Sequence, residues 1–227
     1  MMLEFHFADQ QFVALPSGGL WMPEPKTLVV ADLHLGKGQS FARQGHLLPP
    51  YDDRATLQQL AADVEEYQPE RVWLLGDSFH RSDSPEIVEG DVWEQLKQLA
   101  SGCEWVWVTG NHDAKSFEAS AKSYPGVVLP EWEESGIYYT HEPISGGAHN
   151  IFGHFHPKVR VQLQGRRLSG KCFLLSEQLL LCPAYGAYTG GLWWPEGLLS
   201  KYFQGPRFFL CHKQRVTEVR EQSVIRR

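Results

Sequence analysis

No stretch of this sequence reaches the roughly 18 consecutive apolar residues that a membrane-spanning helix needs, so no membrane partner is expected. Cysteine is scarce: Cys103, Cys172, Cys182 and Cys211 lie far apart and form no C-x-x-C pair. That argues against a zinc ribbon or a disulfide framework and for reduced thiols in a cytoplasmic protein. The opening MMLEFHFADQ lacks the basic segment of a secretory signal. Internal repeats and low-complexity linkers are missing as well. What is present is ordinary globular usage, 42% hydrophobic, 12% aromatic and 21% charged over 227 residues. Disorder is excluded on those grounds, and one domain over residues 1–227 is expected.

Positive charge is short in only one part of the chain. Residues 1–156 hold 9 Lys/Arg against 23 Asp/Glu, a net −14, whereas residues 157–227 hold 12 against 4, a net +8. The basic stretch reads either as a footprint for phosphate-rich ligands or as a counterweight to the acidic part.

Apolar runs alternate with amphipathic segments. Thr27–Ala31, Arg71–Leu75 and Glu104–Val108 read as buried strands, each ending in polar residues. Between them, residues 52–66 and 86–100 carry apolar positions at helical spacing. Strand and helix in alternation predict a core of parallel strands. After about residue 126 the helical pattern gives way to short strands at Ile137–Thr140, Asn150–Phe152, Lys158–Leu163, Cys172–Leu175 and Leu179–Cys182. The first 22 residues alternate around Pro16-Ser17-Gly18-Gly19, as a hairpin would. A layered α/β sandwich follows, its second sheet drawn largely from residues 126–227.

The strand ends carry the chemistry. In order they are Asp32-Leu33-His34, Gly76-Asp77, Gly110-Asn111-His112-Asp113, His141 and Gly153-His154-Phe155-His156. Ligands of α/β sheets gather beyond the carboxyl ends of strands. Alternation along an extended chain predicts that Asp32 and His34 share a side, and likewise His154 and His156. Each piece alone is weak, since a lone histidine or Gly-Asp pair is commonly structural. All five in this order, with gaps of 43, 34, 30 and 13 residues from His34 through Asp77, Asn111 and His141 to His154, point to a metal site. Its donors are carboxylate, amide and imidazole without thiolate, which suits Mn²⁺, Fe²⁺ or Zn²⁺.

This series resembles the signature of the calcineurin-like metallophosphoesterases over residues 27–156. The resemblance implies a four-layer αββα sandwich, two mixed sheets flanked by helices, around two divalent metal ions, foremost Mn²⁺. It further implies that Asp32, His34, Asp77 and His156 hold the first ion. Asp77, Asn111, His141 and His154 would hold the second, with Asp77 bridging. His112 matches the catalytic histidine that is not a ligand, and Asp113 a residue that supports the turn. Such ion pairs, about 3.5–4 Å apart, clamp a phosphoryl group and make hydroxide available near neutral pH. The runs TLVVADLHLGKGQSFARQG, LLGDSFH, VTGNHD, THEP and GHFHP are similar to the ligase-associated DNA damage response endonucleases (PdeM type). So is Leu181-Cys182-Pro183-Ala184-Tyr185-Gly186-Ala187-Tyr188-Thr189-Gly190-Gly191, where that family commonly has Phe in place of both tyrosines and lacks the Cys182 insertion. That likeness implies a DNA substrate and repair partners: a helicase, an exonuclease-like protein and a ligase.

Lys37 and Arg43, in the loop after the first parallel strand, are candidates to receive phosphate, and His80 and Arg81 to orient the ester. Tyr185, Tyr188, Trp193 and Trp194 either stack bases or pack the second sheet. Three functions stay open: a DNA nuclease, a phosphodiesterase or phosphatase of small molecules or nucleotides, and a metal-binding scaffold of a repair complex. The protein is expected as monomer or homodimer.

Overall fold

The computed structural model describes residues 1–43, 45, 52–119 and 124–225. The part of the first loop at His46–Pro50, and Arg226 and Arg227 of the basic stretch, lie outside them. Strands β1 (Leu3–Phe7), β2 (Gln10–Ala14), β3 (Leu20–Met22), β4 (Thr27–Val30), β5 (Arg71–Leu75), β6 (Glu104–Val108) and β7 (Val127–Leu129) form a sheet in that order. Pairing is antiparallel from β1 to β4 and parallel from β4 to β7. The hairpin around Pro16–Gly19 is β2–β3. A tighter one precedes it, its turn made by Ala8 and Asp9 at φ 48° and 61°, the left-handed pair that matches strand twist.

The parallel strands are apolar on both faces because both are covered. Trp73 and Leu75 of β5 and Val106 and Val108 of β6 face the second sheet. Val72, Leu74, Trp105 and Trp107 face helices α2 (Asp52–Tyr67) and α4 (Gly90–Ala100). The second sheet runs β15 (Arg215–Val219), β14 (Arg207–His212), β12 (Arg166–Leu175), β13 (Leu179–Leu181), β10 (His149–Phe152), β9 (Ile137–Thr140), β8 (Trp132–Glu134), with β11 (Lys158–Leu163) paired to β12. It mixes parallel pairs, β9–β10 and β10–β13, with antiparallel ones. Phe5, Phe12, Trp73, Tyr139, Phe173 and Phe209 fill the space between the sheets. The outer face of the second sheet is covered by a thinner layer: α5 (Leu199–Tyr202) and the strand-free run before it, with Trp194, Leu199 and Phe203 buried on Phe152 and Phe208. Two mixed sheets flanked by helices make up the α/β architecture.

Three local readings need correction. The segment 86–100 is not one helix: α3 (Ser84–Ile87) ends before Val88, whose backbone is extended, and α4 begins at Gly90. Gly90 would weaken a helix interior but costs little at its start. Tyr185 packs against the α2 side of the first sheet rather than on the second, while Trp194 does cover the second. Lys37 and Arg43 bound a helix, α1 (Lys37–Arg43), not a loop. That helix is anchored by two acids at the start of α2: Gly36 N–H donates to Asp53 Oδ1 at 2.9 Å and Gly38 N–H to Asp52 Oδ2 at 2.7 Å.

Candidate metal centre

Every polar cluster of the sequence lies beyond the end of its strand, β4, β5, β6, β9 and β10 in turn. Asp32 and His34 do meet, but not through strand alternation. β4 stops at Val30, and both residues take left-handed backbone, φ 56° and 52°. Asp77, His154 and His156 do the same at 46°, 73° and 47°. Left-handed backbone at a residue other than glycine costs about 1 kcal/mol or more each, and persists where surroundings dictate it. Here the loops are tied to one another: Asp32 N–H donates to Gly76 O, His34 N–H to Asp77 O, and His154 N–H to Asp32 Oδ2 at 2.9 Å. At Gly76, φ 73°, any Cβ would strike the His141 ring, so the close approach of β5 to β9 requires glycine.

Two sets of donor atoms result, each within 4.8 Å of one another: Asp32, His34 and His156, and Asp77, His141 and His154. His154 and His156 thus serve different sets. In the first, His34 Nε2 and His156 Nε2 face each other at 3.1 Å, and His156 Nε2 stands 3.2 Å from Asp32 Oδ1. In the second, His154 Nδ1 and His141 Nε2 face at 3.1 Å, with Asp77 Oδ2 3.4 Å from His141. Each pair stands at N–H···N hydrogen-bond distance when one nitrogen carries a proton; with both nitrogens unprotonated, a cation between them takes the proton's place. Donors about 2.0–2.2 Å from a common ion sit about 3 Å apart, so the spacing fits metal ligation. Asp32 Oδ1 and His34 Nδ1 are buried without a hydrogen bond, a cost that an ion at the first set would offset for the carboxylate.

The electrostatics agree. Burial holds the His34 imidazole down to about 3, keeping it neutral and ready to ligate. Burial also works against charge on His141, but the hydrogen bond to Asp77 and the charges of Asp32 and Asp77 outweigh it, raising the ring to about 9. Asp77, despite burial, is held well below the usual carboxylate range by His141, the His112 N–H and His34. The site attracts positive charge. His141 Nδ1 lies 3.1 Å from Leu75 O; donation there leaves Nε2 as the ligating atom.

Asn111 stands at the rim of the second set. Its Nδ2 donates to Glu142 Oε1 at 2.7 Å, leaving its carbonyl oxygen free. Glu142 Oε1 is also 3.8 Å from His154 Nε2, the nitrogen turned away from the set. One carboxylate therefore holds the Asn111 amide and lies near the outer nitrogen of His154, a position that the sequence reading did not single out although Glu142 directly follows His141. Asp113 is wholly buried, its Oδ1 accepting from Gly110 N–H at 2.7 Å and its Oδ2 from Ser78 N–H at 2.5 Å. It binds the loop after β5 to the loop after β6. His112 belongs to neither set. Half exposed, its ring lies 3.8 Å from Asp77 Oδ2, and its N–H donates to Asp77 Oδ1 at 3.0 Å.

Of the four candidate substrate contacts, His80 lies beside the first donor set, its ring 5.7 Å from that of His34. Its ring stacks between Phe41 and His112, at 5.7 and 6.0 Å between centroids. Arg43 and Arg81 converge on Asp83, at 3.8 and 3.6 Å, and Arg81 also lines a depression with His80, Asn111, His112 and Lys115. The Lys37 ammonium reaches across to donate to Tyr188 O at 3.0 Å.

A family model for calcineurin-like phosphoesterases matches residues 25–213. Among solved structures, the Pseudomonas putida nuclease MPE is 25% identical, with a TM-score of 0.72 over 96% of this chain and 100% of its own. Yfce, a phosphoesterase from E. coli, is 14% identical, with a TM-score of 0.42 over 86% of this chain and 98% of its own. No curated protein sequence matches.

Proposed function

Because this chain belongs to the calcineurin-like phosphoesterase family and is a metal-dependent phosphoester hydrolase, we propose that it is a nuclease, opening phosphodiester bonds in DNA. The observation that carries the reading is the pair of carboxylate–imidazole sets lying side by side at the strand ends, with His112 beside Asp77 and outside both. Likeness to a solved nuclease over nearly the whole chain supports the substrate class.

In this reading Asp32, His34, Asp77 and His156 hold one divalent ion and Asp77, Asn111, His141 and His154 the other. The two ions, Mn²⁺ foremost with Fe²⁺ or Zn²⁺ as substitutes, polarise the phosphoryl oxygens and lower the pKa of water when bound. Asp77 serves both sets, as its nearness to His34 and His141 supports. Asn111 adds an oxygen donor without adding negative charge where the phosphate arrives, so the centre stays net positive toward an anionic diester. His112, at the mouth and outside both sets, contacts the phosphate and passes a proton to the leaving oxygen. Its N–H bond to Asp77 and its stack on His80 hold that ring in place. The protein acts in the cytoplasm in DNA repair, beside a helicase, an exonuclease-like protein and a ligase, as the motif resemblance implies.

The test is Mn²⁺-dependent hydrolysis of bis-p-nitrophenyl phosphate beside p-nitrophenyl phosphate, with single-stranded and duplex DNA in parallel. Diester and DNA cleavage together are expected. Diester cleavage without DNA cleavage would support the small-substrate function instead, and no turnover with any divalent ion the scaffold.

A further inference from the structure

Two cations of the basic third, Lys158 and Arg160, lie beside the metal centre, next to Lys37 of α1. Residues 185–192 run along the first donor set: Tyr185 N–H donates to Ala31 O at 2.7 Å, Gly186 N–H to Asp32 O at 3.1 Å and Leu192 N–H to Phe155 O at 3.2 Å. At Gly191, φ 154°, a Cβ would strike the His156 carbonyl. Tyr188 stands in the middle of this run, 65% exposed and in left-handed backbone at φ 58°. Tyr185, three residues earlier, is by contrast buried with its hydroxyl on Asp63. An exposed aromatic in a conformation that favours glycine is costly to keep and contributes nothing to the core.

Two ammoniums fix the backbone there. Lys37 Nζ donates to Tyr188 O at 3.0 Å and Lys158 Nζ to the next carbonyl, Thr189 O, at 3.1 Å. Among the described residues neither makes an ion pair with a carboxylate. Beside them the Arg160 guanidinium carbon sits over Trp193, 3.6 Å from the ring centroid, on the ring that the Lys158 ammonium approaches at 6.0 Å. The opposite rim, near Asn111 and His141, carries Glu131 and Glu142. That rim thus offers carboxylates to an approaching phosphate, whereas the run at 188–189 is bordered by cations.

We propose that Lys37, Lys158, Arg160 and Tyr188 form a ledge over which a polynucleotide leaves the centre, its flanking phosphates on the three cations and one unpaired base stacked on Tyr188. The ledge rests on the nuclease reading and gives it a direction: the bound strand extends past His34 and His156, not past Glu142. For Lys158 and Arg160 it takes the first reading of the basic stretch, a footprint for phosphate.

The experiment compares two substrates, bis-p-nitrophenyl phosphate, too short to reach the ledge, and a single-stranded deoxyoligonucleotide of about a dozen residues. In Tyr188→Ala, the ratio of kcat/KM for the oligonucleotide to that for the small diester falls roughly tenfold, the scale of one lost stacked base. Tyr188→Trp restores it. Arg160→Gln lowers oligonucleotide affinity and cuts its salt slope by about 0.7, one phosphate contact to a single strand. Thermal unfolding shows that both variants are folded. Ratios within twofold of wild type in both variants would overturn the ledge while the nuclease reading stood. So would duplex DNA binding as tightly as single strands with no response to Tyr188→Ala. Small-diester turnover with no oligonucleotide bound would remove both the ledge and the DNA substrate.

Discussion

Replacing Asp113 by Ala tests whether the two loops that present Asp77 and Asn111 are held by one buried carboxylate. The change strips the acceptor from Gly110 N–H and Ser78 N–H and adds no steric burden. Each buried N–H left without a partner costs about 1–3 kcal/mol, so the metal-free protein should lose about 3 kcal/mol in all. For a chain of this length that is a fall in Tm of roughly 6–12 °C. Asp113→Asn should fall between, because one amide oxygen still accepts while the NH₂ opposes the other N–H. Thermal unfolding after chelation, at pH 8, measures the effect, and isothermal titration with Mn²⁺ follows its consequence. Affinity should fall more for the ion assigned to Asp77, Asn111, His141 and His154, two of whose donors sit on the joined loops, than for the ion that shares Asp77 alone. A Tm within about 1 °C of wild type, or equal weakening at both sets, would refute the claim that Asp113 acts by joining these loops.

Replacing His112 by Asn should abolish turnover of bis-p-nitrophenyl phosphate while two metals per chain remain by elemental analysis; loss of metal with activity would remove its assigned role. Glu142→Ala frees the Asn111 amide and the outer nitrogen of His154, and should weaken Mn²⁺ binding at one site about 10–100-fold, read by titration. Equal affinities in mutant and wild type would show that Glu142 orients nothing. Asp53 is raised to about 7 by burial and then by the charge of Asp52. A carboxyl raised on folding contributes stability that is full below its unfolded value near 4 and is lost as pH climbs through 7. The Tm of the metal-free wild type should therefore fall more between pH 5 and 8 than that of Asp53→Asn, and parallel profiles would contradict the assignment. Tyr185→Phe removes a hydrogen bond to a charged group, 2.8 Å to Asp63, and should cost about 1.5–3 kcal/mol in denaturant unfolding. A variant as stable as wild type would show that Ser17 alone suffices for Asp63.

What the amino acids announced and what they concealed divide along a physical line. Arg71–Leu75 and Glu104–Val108 were legible because a parallel strand covered on both faces must be apolar at every position. The residues that meet in the two sets, Asp32, His34, Asp77, His141, His154 and His156, were legible because polar clusters at the ends of such strands have no packing purpose. Their geometry was not, for nothing in Asp32 or His34 announces a positive φ. That conformation is imposed by the hydrogen bonds to Gly76 and Asp77, far along the chain. Helix α1 was hidden because KGQSFAR has no apolar periodicity, and its start is held from α2. The β14–β15 hairpin escaped because its turn, at Lys213-Gln214, has none of the usual turn residues, Lys213 taking φ 53° unaided by Gly or Asn. Glu142 gave no sign of its role because a carboxylate orienting ligands looks, in sequence, like any surface acid.

The origin of the donors has a consequence for the whole molecule. Asp32, His34, Asp77 and Asn111 follow strands of the first sheet, while His141, His154 and His156 follow strands of the second. Each donor set draws on both. Metal binding is therefore also a clasp between the two sheets, linked by mass action to their docking. At a free metal concentration a hundredfold above Kd, each site adds about 2.7 kcal/mol to the folded state. Chelation would do more than silence the enzyme: it would leave paired imidazoles and carboxylates facing one another across the seam and loosen the sandwich at that end. A cell poor in the metal would then hold less of this protein folded, so that metal supply governs its abundance as well as its rate.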